Sequence, residues 1–228
     1  MSHGKKYKSA KEKISQDKVS VLDGIGKVKE LSFVKFDESV DVSVNVGIDA
    51  SKSDQVVRGS VNLPHGNGKK SRVVVFAKGE YADKAQSAGA DHVGFEDLIK
   101  KIEDGWTDFE YAVATPDVMG VVGQLAKILG PKGLLPNKKT GTVTFDVDKI
   151  VAELKKGKSF FKNDKDGLVH FSIGKVSFDS NKLKENFEAF VKSLNGSKPA
   201  ASKGKFLKKV TMSSTMGVGV PINFEEVL

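Results

Sequence analysis

The stretch Thr211–Gly219, Thr-Met-Ser-Ser-Thr-Met-Gly-Val-Gly, combines small residues, hydroxyls and the apolar Met216. Between Ala189 and Phe224 the chain carries no Asp or Glu, but it does carry Lys192, Lys198, Lys203, Lys205, Lys208 and Lys209. Small residues admit a close backbone approach, hydroxyls hydrogen-bond sugar and phosphate oxygens, and ammonium groups attract a polyanion. A second stretch, Lys35-Phe36, sets a phosphate-binding cation beside a ring able to pack on a sugar or base. The two stretches together predict a nucleic-acid-binding surface. The bland alternatives are a polar β-turn with a solvated lysine run, and a Phe36 that belongs to the core. Spacing alone leaves the first open, and for Phe36 it favours the core, since a Phe beside a Lys at the mouth of a strand is usually core.

Other chemistry finds little support. The histidines are His3, His65, His92 and His170, and none shows the i, i+4 spacing of a helical metal pair or an obvious acidic or nucleophilic partner nearby. His170 is the one to watch, because its strand could face the same surface as Lys175. The carboxylates are scattered through Lys/Glu mixtures, the pattern of solvated faces, so no catalytic set and no metal site is predicted. No G-x-G-x-x-G follows the strand at Arg72–Ala77; Lys78-Gly79-Glu80 stands there instead. Gly157-Lys158-Ser159 resembles the end of a phosphate-binding P-loop, but the glycine required five residues earlier is Ala152. These gaps argue against a small α/β enzyme acting on an anionic metabolite, and no cofactor is expected. One further basic segment stands out, Leu129–Gly141, in which Pro131 and Pro136 fix the backbone and Lys132, Lys138 and Lys139 are free to face solvent. It reads either as a long ordered loop or as a second, electrostatic contact with nucleic acid.

Composition sets the frame for these stretches. The 228 residues are 39% hydrophobic and 29% charged with a formal net charge of +8, which suits a soluble globular protein with an acidic partner. There is no cysteine, so disulfides and thiolate chemistry are excluded and a cytoplasmic location is expected. No apolar run approaches a membrane span, and the lysine-rich segment Met1–Lys18 lacks the apolar region of a secretory signal. That segment reads as a mobile basic arm.

The elements that must position the two stretches follow from periodicity. Val21, Leu22, Ile25, Val28 and Leu31 recur at helical spacing after Ser20, a plausible cap. Val40, Val42, Val44, Val46 and Ile48 alternate with polar residues, a half-buried strand. Arg58–Leu63 is a further strand, and Pro64–Lys70 has the composition of a linker. Then the pattern changes. Strands at Arg72–Ala77, Asp91–Val93 and Tyr111–Ala114 alternate with helices at Glu80–Ala88, Phe95–Asp104, Pro116–Leu129 and Asp146–Lys156, the signature of a mainly parallel α/β domain. After Gly157 it reverts: strands at Ser159–Lys162 and Leu168–Ile173, an amphipathic helix at Asn181–Leu194, and strands at Lys205–Ser213 and Val218–Ile222. The fold class is therefore α/β and α+β in two domains. Residues 1–66 and 159–228 form a discontinuous α+β domain, and residues 67–158 form an inserted α/β domain.

Gly47-Ile48-Asp49, Ser53-Asp54-Gln55, Val57-Arg58-Gly59, Leu63-Pro64-His65-Gly66, Ala88-Gly89-Ala90-Asp91 and Asp104-Gly105-Trp106 resemble the family of the first large-subunit ribosomal protein. So do Ala114–Met119, Ile128–Asn137, Phe161–Lys165 and Thr215-Met216-Gly217, and the similarity keeps its order along nearly the whole chain. That family belongs to the mobile side stalk of the large subunit, and the length here suits its bacterial form. The resemblance implies a Rossmann-like inserted domain without catalysis. It implies binding of large-subunit ribosomal RNA at the stalk base through the discontinuous domain, within a particle shared with other ribosomal subunit components. It also implies help in releasing deacylated tRNA from the exit site, and repression of translation through the leader of its own mRNA. A monomer is expected when the protein is free. Carried over by position, the RNA contacts fall on Lys35, Phe36, Thr215, Met216 and Gly217, together with Ser213, His170 and Lys175. Val218 and Pro221 stand where some members have a proline and a basic residue, so no contact is carried beyond Gly217. A free translational repressor differs from this reading only in the RNA preferred.

Overall fold

The structure is a computed structural model and describes residues 4–14, 17–202 and 204–225, so His3 and Lys203 lie outside the described residues. In chain order it runs α1 (Lys5–Glu12), α2 (Val21–Glu30), β1 (Ser39–Val46), β2 (Arg58–Asn62), β3 (Val73–Phe76), α3 (Glu80–Ser87), β4 (His92–Gly94), α4 (Glu96–Glu103) and β5 (Tyr111–Ala114). Then follow α5 (Met119–Val122), α6 (Ala126–Leu129), α7 (Val147–Lys156), β6 (Lys158–Lys162), β7 (Leu168–Lys175), α8 (Ser180–Gly196), β8 (Leu207–Ser214) and β9 (Val220–Ile222). The chain divides into two compact units, Met1–Gly68 with Ser159–Leu228, and Lys69–Lys158.

The first unit is built on an antiparallel sheet in the order β7-β1-β8-β9. Alternation in β1 buries Val40, Val42, Val44 and Val46 and turns Ser39, Asp41, Ser43 and Asn45 outward. The buried face joins one core with Val21, Ile25 and Val28 of α2 and Leu183, Phe187, Phe190 and Leu194 of α8. Each such side chain, fully withdrawn from water, contributes roughly 1.5–3 kcal/mol. Phe190 stacks on Phe171 with ring centroids 4.4 Å apart, and Phe161 meets both rings edge-on. β6 pairs with β2 in a separate two-stranded sheet. Asn186 is fully buried among these apolar groups, yet every bond it needs is present. It donates to the carbonyls of Gly66 (2.9 Å) and Ile173 (2.7 Å) and accepts from the His65 N–H (3.1 Å).

The second unit has a parallel sheet, β4-β3-β5, in which Val73, Val74, Val75 and Phe76 are all buried. That is the burial expected of a central parallel strand. Residues 142–144 run beside β5, joined through Ala114 and Thr144 N–H groups.

Three expectations change. The basic arm is not free over its described part: Lys5–Glu12 is a helix with Ala10 buried, and Ile14 packs against the core of the first unit. An alanine flanked by lysines is a strong helix former, a signal that charge counting overlooks. Pro116–Leu129 is not one helix. It breaks into a 3₁₀ turn at Pro116–Val118, α5, a 3₁₀ turn at Gly123–Leu125, and α6. Gly120 and Gly123 weaken the α-helix there, and no side chain caps its start. Two histidines do have acidic partners. His65 Nε2 lies 2.6 Å from Glu185 Oε2, and His170 Nε2 lies 3.7 Å from Asp164 Oδ2.

Candidate nucleic-acid interface

The stretches Lys35-Phe36 and Thr211–Gly219 meet at one end of the β1–β8 ladder. β1 begins at Ser39 and β8 ends at Ser214, with Val40 opposite Ser214. Lys35 and Phe36 therefore precede the ladder on one strand, while Thr215, Met216 and Gly217 follow it on the other. Side chains lock the two together. The Thr215 Oγ1 accepts from the Ser39 N–H at 3.0 Å and lies 3.4 Å from the Ser39 carbonyl, to which its hydroxyl donates. The Met216 N–H donates to Glu38 Oε1 at 2.7 Å, and the Ser32 hydroxyl donates to the other Glu38 oxygen.

Glu38 is the residue that sequence reasoning missed. It is 1% exposed, although it directly follows the exposed Asp37. Its carboxylate spans 178 positions to reach Met216, so no local spacing could reveal it. Its backbone is held too, because the Val176 N–H donates to the Glu38 carbonyl at 2.9 Å. Asp37 is fixed beside it by the Ser177 N–H (3.2 Å) and hydroxyl (2.8 Å).

Held this way, the two ends present apolar groups to water. Phe36 is 56% exposed and Met216 is 53% exposed. The core reading of Phe36 is thereby removed. Met212, four residues earlier, is fully buried, so the two methionines of the stretch have opposite environments. Gly217 permits the tight return. Its N–H donates to the Ser214 carbonyl at 3.1 Å, and a Cβ there would stand 2.3 Å from the Ser214 Oγ.

The remaining site residues line the outward face of the same sheet. His170 lies opposite Ser43, and its Nδ1 is 2.9 Å from the Ser43 hydroxyl. Lys175 lies opposite Ser39 and donates to the Ser39 hydroxyl (3.1 Å) and the Asp37 carbonyl (3.3 Å). Five residues of regular strand would send His170 and Lys175 to opposite faces. One extra residue in β7, Ile173, opposes the Val40–Asp41 step of β1, and this bulge, with Gly174 at φ +156°, rephases β7 and brings both to one side. Ser213 lies opposite Asp41, and Thr211 opposite Ser43. The outward face thus carries hydroxyls, a histidine, a lysine and one carboxylate, with Lys208 and Lys209 exposed further along β8. The Asp164 carboxyl sits below its ordinary value. The Leu168 N–H lowers it most; burial opposes this, and the Asp166 N–H and the His170 ring lower it further.

Lys35, Phe36, Thr215, Met216 and Gly217 are therefore brought to one end, and Ser213, His170 and Lys175 extend from it along the sheet. The basic segment of the second unit is held mainly by bonds between near neighbours, with Lys132 Nζ also donating to Thr107 Oγ1 at 2.6 Å. Asn137 accepts from the Lys139 N–H (2.9 Å), Thr142 Oγ1 accepts from the Asn137 N–H (2.8 Å), and Lys132, Lys138 and Lys139 stay exposed. In the same unit a cavity of about 370 Å³ is lined by His92, Lys101, Asp104 and Trp106, with the His92 and Trp106 rings edge to face. It holds no nucleophile beside a base. No cluster of three metal-ligating side chains, and no helix long and apolar enough to cross a membrane, occurs among the described residues.

Residues 28–218 match the family model described as ribosomal protein L1p/L10e family. The chain is 50% identical over 224 residues to a protein of Thermobifida fusca (strain YX) named "Large ribosomal subunit protein uL1", covering 98% of this chain and 95% of that protein. A family match across most of the chain, with half of the residues shared by a relative of nearly equal length, shows that this chain belongs to the ribosomal protein L1p/L10e family.

Proposed function

We propose that this protein is a non-catalytic structural component of the large ribosomal subunit in the cytoplasm, and that it binds large-subunit ribosomal RNA through its discontinuous unit. The domains are residues 1–66 with 159–228, which hold the RNA, and the inserted residues 67–158. The observation that carries the reading is the clasp between Glu38 and Met216, which holds Phe36 and Met216 exposed at the shared end of β1 and β8. A fold gains nothing from keeping two large apolar side chains in water at a place fixed by the bonds of a buried carboxylate. A shallow surface of aromatic ring, thioether, glycine and hydroxyls suits RNA, which is read by shape, stacking and 2′-hydroxyl contacts. Lys35, Phe36, Thr215, Met216 and Gly217 form the centre of the contact, and Ser213, His170 and Lys175 extend it.

Two further roles follow from the family and belong to the same proposal: assisting release of deacylated tRNA from the exit site, and repressing translation by binding the leader of its own mRNA. The exposed lysines of the second unit give an electrostatic surface suited to the first. Binding to large-subunit ribosomal RNA, measured across a salt series, tests the core of the reading. With about four phosphates neutralised, the slope of log K on log salt is about −3 to −4. A slope near zero, or one near that of a purely electrostatic binder at about −10, contradicts it.

A further inference from the structure

We infer that Met216 is a reversible oxidation site, and that its sulfoxide releases the protein from RNA. The inference rests on the RNA-binding reading above. Among the described residues, three observations single out this thioether. Met216 is 53% exposed, whereas Met212 is fully buried and Met119 packs against the core of the second unit. The chain has no cysteine, so no thiol competes for a peroxide before methionine does. Met216 is also held in place through its backbone N–H, on Glu38, so chemistry at its sulfur leaves the clasp intact.

The chemistry is a two-electron oxygen transfer. The Met216 sulfur attacks one oxygen of a hydroperoxide, the O–O bond breaks, an S–O bond forms, and water (or an alcohol, from an organic peroxide) leaves after proton transfer. Sulfur is oxidised and the peroxide reduced. The reverse step takes a dithiol, which gives up two electrons and becomes a disulfide while the oxygen leaves as water; methionine sulfoxide reductases carry out this step. The product is a hydrated S=O dipole where an apolar group stood. Burying that dipole against RNA without a donor is unfavourable, and the effect on affinity is about tenfold. RNA in turn covers the sulfur, so the free protein is the substrate and the bound protein is shielded.

The test uses the full chain. Free protein is treated with hydrogen peroxide, peptide mass mapping locates the added oxygen, and the Kd for large-subunit ribosomal RNA is measured before and after. Expected are oxidation at Met216 ahead of Met119 and Met212, a Kd raised about tenfold, an unchanged Tm, recovery after methionine sulfoxide reductase with dithiothreitol, and slower oxidation when RNA is prebound. In Met216→Leu the ratio of Kd after to Kd before treatment stays at one, whatever the starting Kd; in Met119→Leu the treatment still raises Kd. Oxidation of Met216 with no change in Kd overturns the inference, as does an equal loss in Met216→Leu. Met216→Asp separates the two readings. If Met216→Asp binds RNA as the parent does, the RNA-binding reading itself falls; if it binds weakly while the sulfoxide binds normally, only the oxidation site falls.

Discussion

The two basic surfaces of this molecule are built on different principles. In the first unit, exposed Phe36 and Met216 stand beside polar bonds that join residues far apart in the chain. In the second, Leu129–Gly141 exposes Lys132, Lys138 and Lys139 on a loop whose hydrogen bonds run mostly between neighbours, from Asn137 to Thr142, with one longer reach from Lys132 to Thr107. The exposed side chains of the first surface do nothing for folding and are what a ligand would meet. The second is accounted for by its own turn chemistry, with charge as its only offer to a partner. Apolar groups shielding hydrogen bonds from water give contacts that outlast exposed ion pairs. Lysines on a loop give attraction that salt removes.

The contrast can be broken at either end. The largest effect is expected from Met216→Asp, which sets a carboxylate against a polyanion in place of a thioether. RNA affinity should fall about a hundredfold, a loss of about 2.7 kcal/mol, with Tm within a degree or two of the parent. Unfolding instead would mean that Met216 belongs to the core. Next comes Glu38→Ala, which leaves the Met216 N–H without its acceptor in a partly buried place. Denaturant unfolding should show a loss of about 1–3 kcal/mol, and RNA affinity should fall along with it. Intact stability would show that the clasp is idle.

A third test concerns the second unit alone. Burial raises the Asp91 carboxyl, but the Lys155 ammonium, the Val73 N–H and the charges of Lys155 and His92 outweigh it, and its folded pKa lies below the ordinary 3.8. A lowered folded pKa contributes stability that is present above the unfolded value and lost as pH falls through the folded one. The parent should therefore lose this contribution below about pH 4, and Asp91→Asn should lack that part of the acid profile. Thermal unfolding across pH 2–6 reads both. The smallest effect is expected from replacing Lys138 and Lys139 together by Ala. RNA affinity at moderate salt should fall by less than about fivefold, and the salt slope should flatten by about 0.9 for each phosphate that is no longer neutralised. A larger drop than that of Met216→Asp would reverse the ranking of the two surfaces.

How far the sequence reveals this depends on the range of each interaction. β1 is legible because alternation is a local signal, and Ser39–Val46 follows it residue by residue. Tyr111–Ala114 is legible as a continuous apolar run, and Ser20 as a cap, where its hydroxyl accepts the Asp23 N–H. Sequence pattern overstates the helix at Pro116–Leu129 because apolar spacing there coincides with two glycines that shift the backbone toward 3₁₀ turns. Of the site, the exposed residues are found through their types and through the family resemblance. Glu38 escapes because its meaning depends on a partner 178 positions away. The Asp164–His170 pair is different: the two lie across one short turn, and their spacing could have suggested it.

The most direct test of the claim that the two ends form one RNA site is the Kd of Phe36→Ala for large-subunit ribosomal RNA, measured beside its Tm. Stacking of a base on an aromatic side chain is worth about 1–3 kcal/mol by alanine substitution, so Kd should rise roughly 5- to 150-fold while Tm stays where it was. An unchanged Kd, or a protein that no longer folds, would contradict the account.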